Sequence, residues 1–158
     1  MGSIADRMEW IDEVGRLDPK AAAARLIRAQ GQHSDWLDAF SEHLDRHRNA
    51  DALKRVLAVW DLNQTDAARI FGVSRQAISK WFDQGVPADR AANIADLAAA
   101  TDLLVHHLKR DRIPGIVRRP APALDGSTLL ALLERQAYSA VLAACRGMFE
   151  FGNPPDAP

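Results

Sequence analysis

Cysteine is all but missing: Cys145 stands alone, so no disulfide can close within the chain. Tyrosine also occurs once, and runs of β-branched residues are absent, which removes the composition of a strand-rich protein. No stretch reaches the roughly 20 apolar residues that span a bilayer, because Arg, Asp and Lys interrupt every Ala-rich segment. The first residues hold no basic start followed by an unbroken apolar run, so a secretory leader is not expected and the cytoplasm is the expected compartment. Catalytic groupings are missing too. There is no Ser-His-Asp set, no phosphate-cradling glycine loop and no paired-carboxylate motif, and the sequence reads as a non-enzyme that needs no cofactor.

What remains is a chain of 158 residues, 47% hydrophobic, rich in Ala, Leu, Arg, Glu and Asp. That supply of helix formers predicts an all-α protein with a real core. The net charge of -1 conceals an uneven distribution: residues 1–51 sum to -3, residues 52–119 to +4 and residues 120–158 to -2. The middle of the chain therefore carries the local positive potential that phosphate contacts require.

Apolar spacing and breakers divide the chain into an N-terminal helical extension (1–50), a central domain (51–108), a basic Pro-rich linker (109–126) and a small C-terminal helical domain (127–158). In the extension, Ser3–Val14 reads as one amphipathic helix. A second is capped by Asp18, starts at Pro19 and ends at Gly31; a third is capped by Ser34 and turns Trp36, Leu37, Phe40 and Leu44 inward. The polar stretch Arg46–Asp51 reads as the boundary. Lys109–Gly126, with Pro114, Pro120 and Pro122, reads as an extended connection. Ser127 is expected to cap a short helix, Gln136–Met148 forms the last one, and Asn153–Pro158 frays.

The most informative window is Gln64–Asp83. A bihelical DNA reader needs a small residue where its helices touch and a turn residue tolerant of positive φ. Ala68 and Gly72 meet those needs, while Ala67, Phe71, Val73, Ile78 and Trp81 fall at the spacings of a shared core. The outward residues suit DNA. Ser74 caps the second helix, and Arg75 and Gln76 occupy its first turn, where their forked groups match guanine O6/N7 and adenine N6/N7. Ser79 and Lys80 follow one turn later, and Gln64 and Thr65 start the preceding helix, where side chains and free backbone N–H groups suit phosphate. Lys109, Arg110, Arg112, Arg118 and Arg119 are candidates for DNA-backbone or partner contact, the alternative being a solvated linker.

The run Gln64-Thr-Asp-Ala-Ala-Arg-Ile-Phe-Gly-Val-Ser-Arg-Gln-Ala-Ile-Ser-Lys-Trp81 resembles the helix-turn-helix of Xre/Cro-type bacterial regulators. Arg119-Pro-Ala-Pro-Ala-Leu-Asp-Gly-Ser-Thr-Leu-Leu130, with Val141 and Phe149-Glu-Phe-Gly152, resembles the C-terminal domain of Xre/MbcA/ParS-type antitoxins. The first resemblance implies a repressor-like transcriptional regulator that reads double-stranded DNA. The second implies a partner toxin of the RES or ParT class and autoregulation of the operon. A phage-type repressor or excision factor is a third reading. One such module makes few contacts, so a homodimer on paired half-sites is expected.

Other clusters carry less. His43 and His47 are four apart on a helix, but nothing completes a metal set, and a solvated face is expected there. His106 and His107 point in different directions. Trp10, Trp36, Trp60 and Trp81 occupy apolar helical positions and are expected in the core, as is Cys145.

Overall fold

The computed structural model describes residue 9, residues 12–30 and residues 34–150, and every regular element among them is helical. The elements are α1 (Pro19–Gln30), α2 (Ser34–Trp60), α3 (Gln64–Phe71), α4 (Arg75–Gln84), α5 (Ala91–His107), α6 (Ile113–Val117), α7 (Leu129–Glu134) and α8 (Tyr138–Glu150). Short 3-10 turns at Ala88–Arg90, Arg110–Arg112 and Pro122–Leu124 link them. No helix among the described residues is long and apolar enough to cross a membrane. Trp10, Gly31, Asn153–Pro158 and most of the expected helix Ser3–Val14 lie outside the described residues.

The chain divides into two units, residues 1–42 and residues from His43 onward. In the first, Asp18 Oδ1 accepts from the amides of Lys20 and Ala21 at 3.0 and 3.1 Å, capping α1 ahead of Pro19 as the sequence predicts. None of its described residues is buried. The expected inward placement of Trp36, Phe40 and Leu44 along α2 is not found: Trp36 is 42% exposed and stacks on Phe40 at 5.1 Å, and Leu44, just inside the second unit, is 40% exposed. Helical spacing marks a face, but only a packed neighbour buries it.

Nor does the chain break at Arg46–Asp51. Helix α2 runs through that stretch, since none of its residues is a strong helix breaker and Ala50 is already in the core. Downstream, Leu53, Val56, Leu57, Val59 and Trp60 are buried. The Trp60 indole donates to Thr101 Oγ1 at 2.9 Å, and Thr101 donates to the Leu97 carbonyl at 2.7 Å, so this buried polar pair on α2 and α5 is fully satisfied.

The segment read as an extended linker is helical and packed. Ile113 and Val117, one helical turn apart, are both fully buried, and Pro114 sits in the first turn of α6, where its missing N–H costs nothing. The last two helices then close onto α5 and α3: Leu129, Leu133, Tyr138, Val141, Leu142 and Cys145 join Leu97, Leu104, Ile70 and Phe71 in one core. Thr128, one residue after the expected Ser127, caps α7 by accepting from Ala131 N at 2.9 Å. The last helix begins at Tyr138, because Gln136 takes a left-handed φ of 59°.

Candidate functional site

Helices α3 and α4 and the turn between them form the bihelical unit that the sequence predicts. Asn63 caps α3 by accepting from Thr65 N and Asp66 N at 2.8 and 3.0 Å, while Asp66 Oδ2 accepts from Asn63 N at 2.9 Å. This reciprocal capping box satisfies the first-turn amides. The expectation of free N–H groups at this helix start is therefore corrected at Thr65 and Asp66, and the Asp66 carboxylate adds a negative charge beside Gln64 and Thr65. The signal was present as Asn63-x-x-Asp66.

The turn is closed by Gly72, left-handed at φ 63° and ψ 36°, with its own amide and that of Val73 returning to the carbonyls of Arg69 and Ala68. Ser74 Oγ then accepts from Ala77 N at 3.1 Å and starts α4. Beneath the turn, Ala67, Ala68, Phe71, Ile78 and Trp81 are buried, and the Phe71 and Trp81 rings meet edge to face at 5.6 Å. Above it, Arg75, Gln76, Ser79 and Lys80 are all exposed, and their spacing of three and four places them on one face of α4. Thr65 is exposed and Gln64 half-buried. Asp83 is exposed at the far end of α4.

The basic cluster divides. Lys109, Arg110, Arg112 and Arg119 are exposed. Arg118 is exposed as well, but it donates to the carbonyls of Trp60, Asp61 and Pro114 at 3.0, 2.8 and 2.8 Å, so its guanidinium closes the C-terminus of α2. That anchor holds α6 against the turn leading into α3.

The bihelical unit is also fastened from the C-terminal side. Tyr138 donates to the Ile70 carbonyl at 2.8 Å and stacks on Phe71 at 5.5 Å; burial pushes its phenol pKa up, with Arg90 opposing. Arg69 pairs with Glu134 at 2.9 Å. Cys145 lies fully inside this core, and burial lifts its thiol to about 12, so it stays protonated and inert.

On the other side of α8 an apolar groove of about 580 Å³ opens between α8 and the segment that includes Pro120–Leu124. Ile116, Leu129, Ala144 and Met148 line it, Arg119 stands on its wall, and Met148 is 40% exposed. A second hollow of about 890 Å³ adjoins it, sharing Ala123, Leu124, Ala143 and Ala144. The wall between them is shaped by a loop in which Ala121 and Gly126 amides reach the carbonyls of Ser127 and Ala121, and Asp125 and Gly126 take φ of 53° and 78°. This is the segment whose sequence resembles an antitoxin domain.

No known protein-family model matches the chain, and no curated protein does. Among solved structures, the MbcA antitoxin of the M. tuberculosis MbcT-MbcA toxin-antitoxin complex aligns with a TM-score of 0.53 and 21% identity, covering 66% of this chain and 96% of that one. At that identity the likeness is one of architecture: the chain is all-helical and shares the fold of that structure.

Proposed function

We propose that this protein is the antitoxin of a toxin-antitoxin pair, with the apolar groove beside α8 facing the toxin and α4 reading the operator that sets its own level. The single observation behind this reading is the fold likeness to MbcA, which takes in nearly all of that antitoxin. A RES- or ParT-class toxin is the partner implied by the resemblance of Arg119–Leu130. Such a protein acts in the cytoplasm and needs no catalytic step of its own.

The test is co-expression with the product of the adjacent gene. The expected result is growth arrest by that product alone, relief when this chain is present, and a stable heteromer on purification. A harmless neighbour, or one that never associates with this chain, overturns the reading.

A second reading, a free-standing DNA-binding repressor, is favoured by the exposed quartet Arg75, Gln76, Ser79 and Lys80 above a tightly locked turn. Both readings use the same reader, with two copies on half-sites about one DNA turn apart. In a salt-titrated assay on the chain's own promoter, Arg75→Ala and Gln76→Ala are each expected to lose roughly 1–3 kcal/mol of discrimination at one base position. Uniform loss on every sequence assigns them to phosphate instead.

A further inference from the structure

Two histidine rings on α2 meet nitrogen to nitrogen. His43 and His47 lie four residues apart in an unbroken helix, and their Nε2 atoms are 3.1 Å apart with the ring centroids at 4.6 Å. His43 is exposed and His47 half-buried, so one ring is held by its surroundings while the other reaches over it from solvent. As neutral imidazoles they form a single hydrogen bond, one Nε2–H donating to the other Nε2 lone pair.

That separation has a second meaning. Metal–imidazole bonds of about 2.1 Å place two ligand nitrogens about 3.0 Å apart at a right angle and about 3.4 Å apart at the tetrahedral angle. The observed 3.1 Å fits adjacent positions of a square-planar or octahedral ion with almost no movement. When the donating ring shifts its proton to Nδ1, each Nε2 offers a lone pair, and a metal seated beside the two nitrogens replaces the shared proton. The nearby arginines have partners other than the imidazoles: Arg46 donates to the Val86 carbonyl at 3.3 Å and Arg48 faces Asp45 at 3.7 Å. By contrast, His106 and His107 are sequence neighbours whose rings meet at 89°, and His107 stacks on Phe149.

We infer that His43 and His47 form a two-imidazole chelate for a divalent transition metal of the nickel and copper class. No group of three or more His, Cys, Asp or Glu side chains suited to a metal occurs among the described residues, so the remaining positions fall to water and stay open to exchange. The site uses none of the exposed α4 residues Arg75, Gln76, Ser79 and Lys80 and none of the groove residues, and it stands or falls independently of the antitoxin reading.

The experiment is titration of the full untagged chain with nickel chloride, followed by calorimetry and by paramagnetic broadening of backbone amide signals. The expected result is one ion per chain, broadening centred on residues 43–47, and at least a tenfold loss of affinity in both His43→Asn and His47→Asn. His106→Asn with His107→Asn is expected to leave the affinity unchanged. Because His43 is exposed, its variant should keep the wild-type melting curve, which separates lost chelation from lost folding. Broadening centred elsewhere, or unchanged affinity in the two single variants, overturns the site.

Discussion

At Gly85 the chain passes so close to α2 that a β-carbon has nowhere to go. It would lie 2.7 Å from Arg46 Cβ and 2.9 Å from the Arg46 carbonyl carbon, at φ 90°, while Val86 donates to the Arg46 carbonyl at 2.9 Å. Gly72 is also left-handed, but the nearest atoms its β-carbon would meet are the amide end of the long Gln136 side chain, with Nε2 at 2.7 Å. Gly72→Ala is therefore expected to cost about 1–2 kcal/mol, the usual penalty of that conformation. Gly85→Ala should cost about 3 kcal/mol or more, because helix backbone cannot step aside. Urea unfolding of the two variants checks the order, and equal losses contradict it. Cys145 makes a separate point about pH. Its thiol is raised from 9.0 to about 12 in the fold, so the folded state holds a proton that the unfolded state releases. Stability is then fully present below about pH 9 and falls as pH rises toward 12, with Tyr138 acting in the same direction. Urea midpoints between pH 8 and 10.5 are expected to decline less steeply in Cys145→Ala than in the parent.

Helices α3 and α4 are legible in the sequence because their signals are local. Asn63, Gly72 and Ser74 punctuate the ends, and the core residues repeat within twenty positions. Helix α6 is hidden for the opposite reason: Pro114 and Gly115 within it and the arginines flanking it imitate a linker, while Ile113 and Val117 are buried in a core shared with residues far away in the chain. Arg118 shows how charge alone misleads. Its position among Lys109, Arg110, Arg112 and Arg119 suggests phosphate contact, yet its guanidinium binds three carbonyls, two of them at the end of α2. Arg118→Ala is expected to lower stability by about 1–2 kcal/mol and to leave the salt dependence of DNA binding unchanged. Arg119→Ala should leave stability alone and, if that side chain meets a phosphate, reduce the salt slope by about one. Denaturation and salt-titrated binding on the same pair separate the two roles.

Across the whole second unit, the bihelical pair α3–α4 and the C-terminal helices share one core, although the sequence suggests a linker between them. Tyr138 stacks on Phe71 and bonds to the Ile70 carbonyl, Arg69 pairs with Glu134, and α8 lies along α5, so the walls of one core come from both regions. Sequence spacing finds each apolar face but not the face it meets, which is why a basic, proline-containing stretch looks like a spacer. A chain ending at Asp125 exposes Ile70, Phe71, Leu97 and Leu104, all of which are at most 2% accessible in the intact fold. Burying side chains of this kind contributes about 1.5–3 kcal/mol each, so uncovering all four costs about 6–12 kcal/mol, comparable with the whole stability of an ordinary small domain, about 5–15 kcal/mol. The shortened chain is expected to lose its cooperative thermal transition and its DNA binding together, as read by circular dichroism and a gel-shift assay. A sharp melt with intact operator binding would instead establish two independent domains. Because Tyr138 and Glu134 hold Ile70, Phe71 and Arg69 of α3, displacing α8 is expected to loosen the bihelical unit as well.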